Sequence, residues 1–377
     1  MRHTRQLLFF LMLLPLTASG QVSGGIQVGT LIDDNVFNNY LQVADRVTEV
    51  SLQGAYDWDT ESTNLQLFYT GMLDYFALLP SRTFQVHTVG LAYTHALDDD
   101  EGALFNVGGD YALRDNRDEY AIYDHTQISL YGNVQWHVSD PLRLKGGYAF
   151  RAVAFSELQE FDYGEHMLFL QATTSLPTRT TIIAQGDLGF KKYATPNADT
   201  TTSVYPRRQW GKRAAEVSAP GVTQLITTVR IGQGITETTG LSLTGQYQLS
   251  LDKESRYLSF DSGVVTDDEI FDDHYGFDGP LIGLTATQIL PADFQIRASG
   301  SIQERRYSNR PAYDLAGTLT ASQRIDTRAV LSLALDKSFP LLGLRASLAY
   351  DFISNTSNDA YYSYRNHAVS LWLSFLH

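Results

Sequence analysis

The chain has 377 residues, 42 acidic against 28 basic side chains, and no cysteine. A formal charge of −14 is a poor basis for holding nucleic acid by phosphate neutralisation. The missing thiols exclude a disulfide scaffold, a thiolate metal site and a lipid anchor through an N-terminal cysteine.

The first element is a targeting segment. Arg2, His3 and Arg5 form a short basic region, and residues 7–14 are uninterruptedly apolar. Pro15 follows, then the small residues Ala18, Ser19 and Gly20, a pattern expected of a cleaved signal peptide over residues 1–20. Cleavage after Gly20 leaves residues 21–377 as one domain, and loss of Arg2 and Arg5 takes its charge from −14 to −16. An apolar run this short cannot cross a bilayer as a helix, which takes about 20 residues, and no later segment approaches that length.

From Gly25 onward, apolar and polar residues alternate with period two. Leu241, Leu243, Gly245, Tyr247, Leu249 and Leu251 share one face of a stretch whose other face is Ser242, Thr244, Gln246, Gln248, Ser250 and Asp252. Residues 126–138, 142–151, 294–307 and 344–352 behave alike. These runs exceed the about 5–6 residues of soluble strands and match the roughly 9–11 of a tilted membrane-spanning strand.

The connections alternate in length. Short ones fall at 58–62, 97–101, 139–141, 176–179, 235–239, 290–293 and 339–343; long ones at 33–45, 75–83, 115–124, 155–163, 193–219, 253–278, 309–324 and 356–364. Short periplasmic turns and long extracellular loops are the habit of outer-membrane barrels. The expectation is therefore an all-β, antiparallel transmembrane β-barrel of about 16 strands, with 14 or 18 as alternatives. Residues 312–325 also alternate and are read as part of a protruding loop. Lipid offers no hydrogen bonds, so the sheet must close on itself and remove its edges.

The final segment, residues 365–377, resembles the C-terminal strand that bacterial outer-membrane proteins present to the barrel-assembly machinery. Val369, Leu371, Leu373 and Phe375 alternate toward lipid and end on an aromatic, followed here by Leu376 and His377. The stretch 344–364 and the opening Asp33-Asp34-Asn35-Val36-Phe37 resemble a penultimate strand and a first extracellular edge in barrels of porin-like type. The resemblance implies an integral outer-membrane location, insertion by the assembly machinery, and contact with outer-membrane lipid and lipopolysaccharide.

Several constellations are candidates for chemistry. Arg143, Lys145, Arg151, Arg230, Arg297 and Arg305 fall on the polar face, where they line a pore or pair with Glu49, Asp57, Asp74, Asp187 and Asp351. The acidic runs 267–269 and 272–273, and 98–101 in a short turn, read as solvated segments rather than calcium loops. Asp124-His125 and Asp273-His274 lie near the outer rim, but sequence neighbours on a strand face opposite sides. No GxSxG or HExxH motif occurs, so no enzyme and no cofactor are expected. Outward aromatics such as Tyr56, Trp58, Tyr69, Trp136, Tyr148 and Tyr350 read as interfacial girdles. The long loop 193–219, with Lys191 and Lys192 before it and Arg207, Arg208, Lys212 and Arg213 within, either constricts the pore or meets lipopolysaccharide. The sequence thus points to a porin-like channel for small polar solutes, monomeric or homotrimeric. The alternatives are a non-conducting barrel for surface binding, adhesion or envelope assembly, and a hydrolase at the rim.

Overall fold

The computed structural model describes residues 20–97, 102–194, 213–217, 221–253, 256–260 and 275–376. The first eight strands are β1 (Gly20–Asp33), β2 (Asp45–Asp59), β3 (Thr63–Phe76), β4 (Phe84–Ala96), β5 (Ala103–Asn116), β6 (His125–Ser139), β7 (Leu142–Phe155) and β8 (Tyr163–Leu176). Next come β9 (Thr180–Tyr193), β10 (Arg213–Val217), β11 (Gly221–Gly234), β12 (Thr239–Ser250) and β13 (Arg256–Phe260). The chain ends with β14 (Phe277–Leu290), β15 (Phe294–Tyr313), β16 (Leu319–Phe339), β17 (Leu344–Ser357) and β18 (Tyr364–Leu376).

All but β10 and β13 form one closed antiparallel barrel of sixteen strands, each paired with its sequence neighbour; β10 and β13 pair only with each other. Closure is made by β1 on β18, from Gly25 opposite Leu376 to Asp33 opposite Ala368. At this seam the Trp372 ring lies over Gly29, where any side chain would collide with it. Small on one strand and large on the next lets the final pair close.

The period-two pattern sorts the wall. Ile26, Leu52, Leu91, Leu130, Leu168, Leu243, Leu284, Leu333 and Leu371 are all exposed on the outer face. In a bilayer that face is covered by lipid, while the polar residues between turn inward. Sixteen strands at about 4.8 Å spacing, tilted by about 40°, give a backbone radius of about 16 Å.

Differences from the sequence reading are local. Strand β1 begins at Gly20, opposite Trp58, rather than near Gly25. The stretch 309–324 is not a loop: β15 and β16 run on beyond the belt as a hairpin with irregular register around Pro311, its tip at 314–318. Alternation in 312–325 therefore reports real strand that stands above the membrane without adding a crossing, and the parity of connections holds.

Candidate functional site

The outer mouth is built from the long connections. Between β3 and β4, β5 and β6, β7 and β8, and β17 and β18, the chain makes a short 3-10 turn. In each, a side-chain oxygen before the returning strand accepts the backbone N–H that ends the departing one: Phe76 to Thr83 (3.3 Å), Asn116 to Asp124 (2.7 Å), Phe155 to Asp162 (2.7 Å) and Ser357 to Ser363 (3.0 Å). The bond satisfies a donor that the ladder no longer reaches. Burial raises the Asp124 and Asp162 carboxyls above their ordinary value, against the pull of those hydrogen bonds.

Four long connections, those after β1, β3, β5 and β7, share one apolar core. Val36 and Phe37 from the first loop meet Tyr120, Ile122 and Tyr123, then Leu158 and Phe161, against the inward-facing Val153 and Phe155 of β7; Leu79 packs beside them. Tyr123 and Leu158 are 1% exposed. Because Val153 and Phe155 point into the barrel, this core lies on the lumenal side and roofs the β1–β8 half of the mouth. Arg82 is buried in it, its guanidinium donating to the Val36 carbonyl (2.8 Å) and lying over Phe37 and Phe76. The Asp45 carboxylate accepts from the Leu78 and Leu79 amides and ties the second loop to β2.

From the other side, Tyr275 reaches inward ahead of β14. Its hydroxyl donates to Glu165 on β8, and its ring covers Gly189 on β9. Strand β8 lies four positions round the wall from β14, so the end of this connection crosses the interior. Arg151 holds the other oxygen of Glu165 (2.7 and 2.5 Å), and Lys191 sits over the Tyr163 ring at 4.0 Å. The mouth is narrowed by this bar and by the roof.

Below the mouth the inward-facing charges segregate. From β1 to β5 the inward rows carry Asp33, Asp45, Glu49, Asp57, Asp59, Asp74 and Asp110, with Arg114 the exception. From β7 onward they carry Arg143, Lys145, Arg151, Lys191, Arg230, Arg297, Arg305, Arg328 and Arg345 among a smaller number of acids. Glu49 and Asp74 are cross-strand neighbours, so like charges crowd one wall of the lumen.

The architecture has solved counterparts. Over 95% of its length the chain is similar to Pseudomonas aeruginosa OpdQ (TM-score 0.54, 11% identity, 99% of that chain). OpdL of the same organism gives 0.53 at 10% identity, covering 95% of this chain and 99% of that one; Acinetobacter baumannii OccAB3 gives 0.52 at 10%, covering 95% and 100%. The fold is that of the outer-membrane porins. In sequence, residues 242–375 match a family described as "Surface lipoprotein assembly modifier". No curated protein matches the chain.

Within the porin fold, all six basic residues singled out in the sequence turn inward, sharing faces with Glu165, Ser301 and other polar partners. They do not pair with the five acids named beside them. Arg151 takes Glu165, Arg143 contacts His137 (2.6 Å) and Arg305 contacts Gln303 (2.9 Å). Asp57 is held instead by Gln66, Asp187 by Gln185 and Asp351 by Ser332. Val369, Leu371, Leu373 and Phe375 all face outward on β18. Asp124 and His125 form no dyad: Asp124 accepts from Asn116, and the His125 Nδ1 meets the Tyr123 carbonyl. The acidic runs 98–101 and 267–273, His274, and Arg207, Arg208 and Lys212 lie outside the described residues.

Sequence reasoning missed the roof, whose residues scatter over four loops. It also missed a repeat at the strand entries: Thr83-Phe84-Gln85-Val86-His87, Asp162-Tyr163-Gly164-Glu165-His166 and Ser363-Tyr364-Arg365-Asn366-His367. A capping oxygen four residues before a histidine is the signal that finds it.

Proposed function

We propose that this barrel is a channel of the outer membrane for small polar solutes, and that anionic groups are drawn along its basic wall. The observation that carries this reading is the separation of lumenal charge, acids on β1–β5 and bases from β7 onward. A sixteen-strand barrel encloses an aqueous lumen, and opposed charged walls make a transverse field that orients a dipolar solute between them. Planar-bilayer recording of the purified protein tests it. Discrete conductance is expected, and Arg230→Glu with Arg297→Glu lowers anion over cation permeability severalfold; no conductance above background removes the channel reading.

A second reading rests on the match of residues 242–375 to the lipoprotein-assembly family. That segment contains the β15–β16 hairpin, which protrudes beyond the barrel wall. If the barrel serves surface lipoproteins, deleting it lowers their display on intact cells while leaving their total amount unchanged. Processing of residues 1–20 as a leader, insertion signalled by Val369, Leu371, Leu373 and Phe375, and a monomeric or trimeric state belong to this same proposal.

A further inference from the structure

Three outward-facing tyrosines each bond a histidine on the next strand: Tyr69 to His87 (2.8 Å), Tyr148 to His166 (2.6 Å) and Tyr350 to His367 (2.8 Å), always through Nδ1. The geometry repeats. In each case the tyrosine stands opposite the residue two positions beyond the histidine (Val89, Leu168 and Val369). The histidine is the last polar residue on the outer face before the apolar row begins. From His367 to Phe375 is eight residues of β18, about 21 Å of height at about 3.4 Å per residue and 40° tilt, close to the about 25 Å apolar band of such barrels. The pairs therefore sit where the outer leaflet's headgroups begin.

A girdle tyrosine needs no histidine, so the pairing asks for a further reason. When the Tyr350 hydroxyl donates to Nδ1, the ring proton is on Nε2, which makes no hydrogen bond among the described residues. Arg365, exposed, lies on the same face two residues nearer the rim. The nearby Asp34 carboxylate is taken by the His367 backbone N–H (2.7 Å). Directly below, an apolar groove of about 340 Å³ runs between Ile296, Leu333, Leu335, Leu348 and Val369, with Tyr350 closing its upper end. One tyrosine thus borders both a slot for hydrocarbon and a polar pair with a free donor.

We propose that Tyr350, His367 and Arg365 with this groove form a lipid-binding site, in which an acyl chain fills the groove and a headgroup phosphate accepts from His367 Nε2–H and Arg365. The other two pairs are weaker versions. His166 has Lys192 nearby, opposite Gly164, whereas His87 has Asp115 opposite Gln85, bonded to it at 3.0 Å. The inference stands whether or not the lumen conducts.

The test titrates the full-length barrel, in phosphate-free dodecyl maltoside, with lipid A, dephosphorylated lipid A or phosphatidylglycerol, and counts retained lipid by native mass spectrometry. Lipid A, the phosphate lipid of the outer leaflet, is retained over its dephosphorylated form and over phosphatidylglycerol; stronger retention of phosphatidylglycerol overturns that occupant. His367→Phe lowers that preference by about tenfold, the worth of one hydrogen bond to a charged group, and Arg365→Gln and Tyr350→Phe lower it by less. Tyr350→Phe removes one oxygen from a lipid-facing ring and so remains usable if His367→Phe does not insert. Equal retention of the dephosphorylated lipid, or unchanged preference in the variants that insert, overturns the site.

Discussion

The outer rim is held in two different ways on its two sides. Over β1–β8 an apolar core with capping carboxylates joins four loops. Over β15–β18 the contacts are charged. Arg324, 3% exposed at its side chain, grips Asp326 through Nε and Nη2 (3.0 and 2.5 Å) and lies between the Tyr307 and Tyr362 rings at 4.5 and 3.3 Å. Arg310 donates to the Tyr362 hydroxyl (2.7 Å), and Asp359 accepts from Tyr361 and Tyr313. The difference teaches what each side is for. Apolar packing is non-directional and yields by degrees, which on the channel reading proposed above suits a roof that lets solute past. A buried ion pair holds one geometry or fails, which suits a hairpin carried at a fixed angle above the membrane.

The largest effect should come from breaking the charged side. Arg324→Ala leaves Asp326, itself fully buried, without its counter-charge, a loss of about 3–5 kcal/mol in comparable sites. Hydrogen exchange at residues 307–326 should report the hairpin loosening, with the belt strands unchanged. Replacing both partners, Arg324→Met with Asp326→Leu, should restore most of the protection. If single and double variants exchange alike, the pair does not position the hairpin.

Next is the roof. Leu158→Ala removes a side chain that the four loops enclose. The expected cost is about 2 kcal/mol, at the low end for buried leucine because loops relax into the space. Exchange should rise at residues 118–123 and 156–162 together, since they share a core, while the hairpin stays protected. Bilayer recordings should show larger or longer openings. Exchange confined to 156–162 would mean that the loops are independent and that there is no common roof.

Much of the barrel was legible because a membrane wall obeys few rules. Period-two alternation in 241–252 places Leu243 outward and Thr244 inward with no knowledge of the partner strand, and the short turn at 235–239 against the long loop at 253–278 fixes which end is which. The inward placement of Arg230 and Arg297 follows from the same parity. The bar made by Tyr275 was not legible, since nothing local says that a loop tyrosine will reach Glu165, 110 residues earlier. Nor was the segregation of charge: Glu49 and Asp74 are crowded by register, and register is a property of strand pairs. The Tyr–His pairs were half legible, as their histidines keep a fixed place after the cap while their tyrosines stand 17 or 18 residues away.

The smallest effect is a dependence on pH. Asp124 and Asp162 titrate above the ordinary carboxylate value because burial penalises their charge. A raised folded value means that the folded loop binds the proton more tightly than the unfolded one. Their contribution is therefore complete below the ordinary value near 3.8 and is lost as pH rises through the raised one. Lowering pH from 7 toward 4 should thus tighten the roof slightly, read as slower exchange at residues 118–123 after correction for intrinsic rate, or as fewer openings. Asp124→Asn keeps an acceptor for Asn116 while removing the charge, so it should flatten this dependence. Across the rim Asp359 is raised too, by burial, against the pull of the Tyr361 amide, Arg324, the Tyr313 amide and Arg310, so that side should respond in the same direction. A roof that loosens on acidification would show that its carboxylates act as charged caps, and that the apolar core does not set its closure.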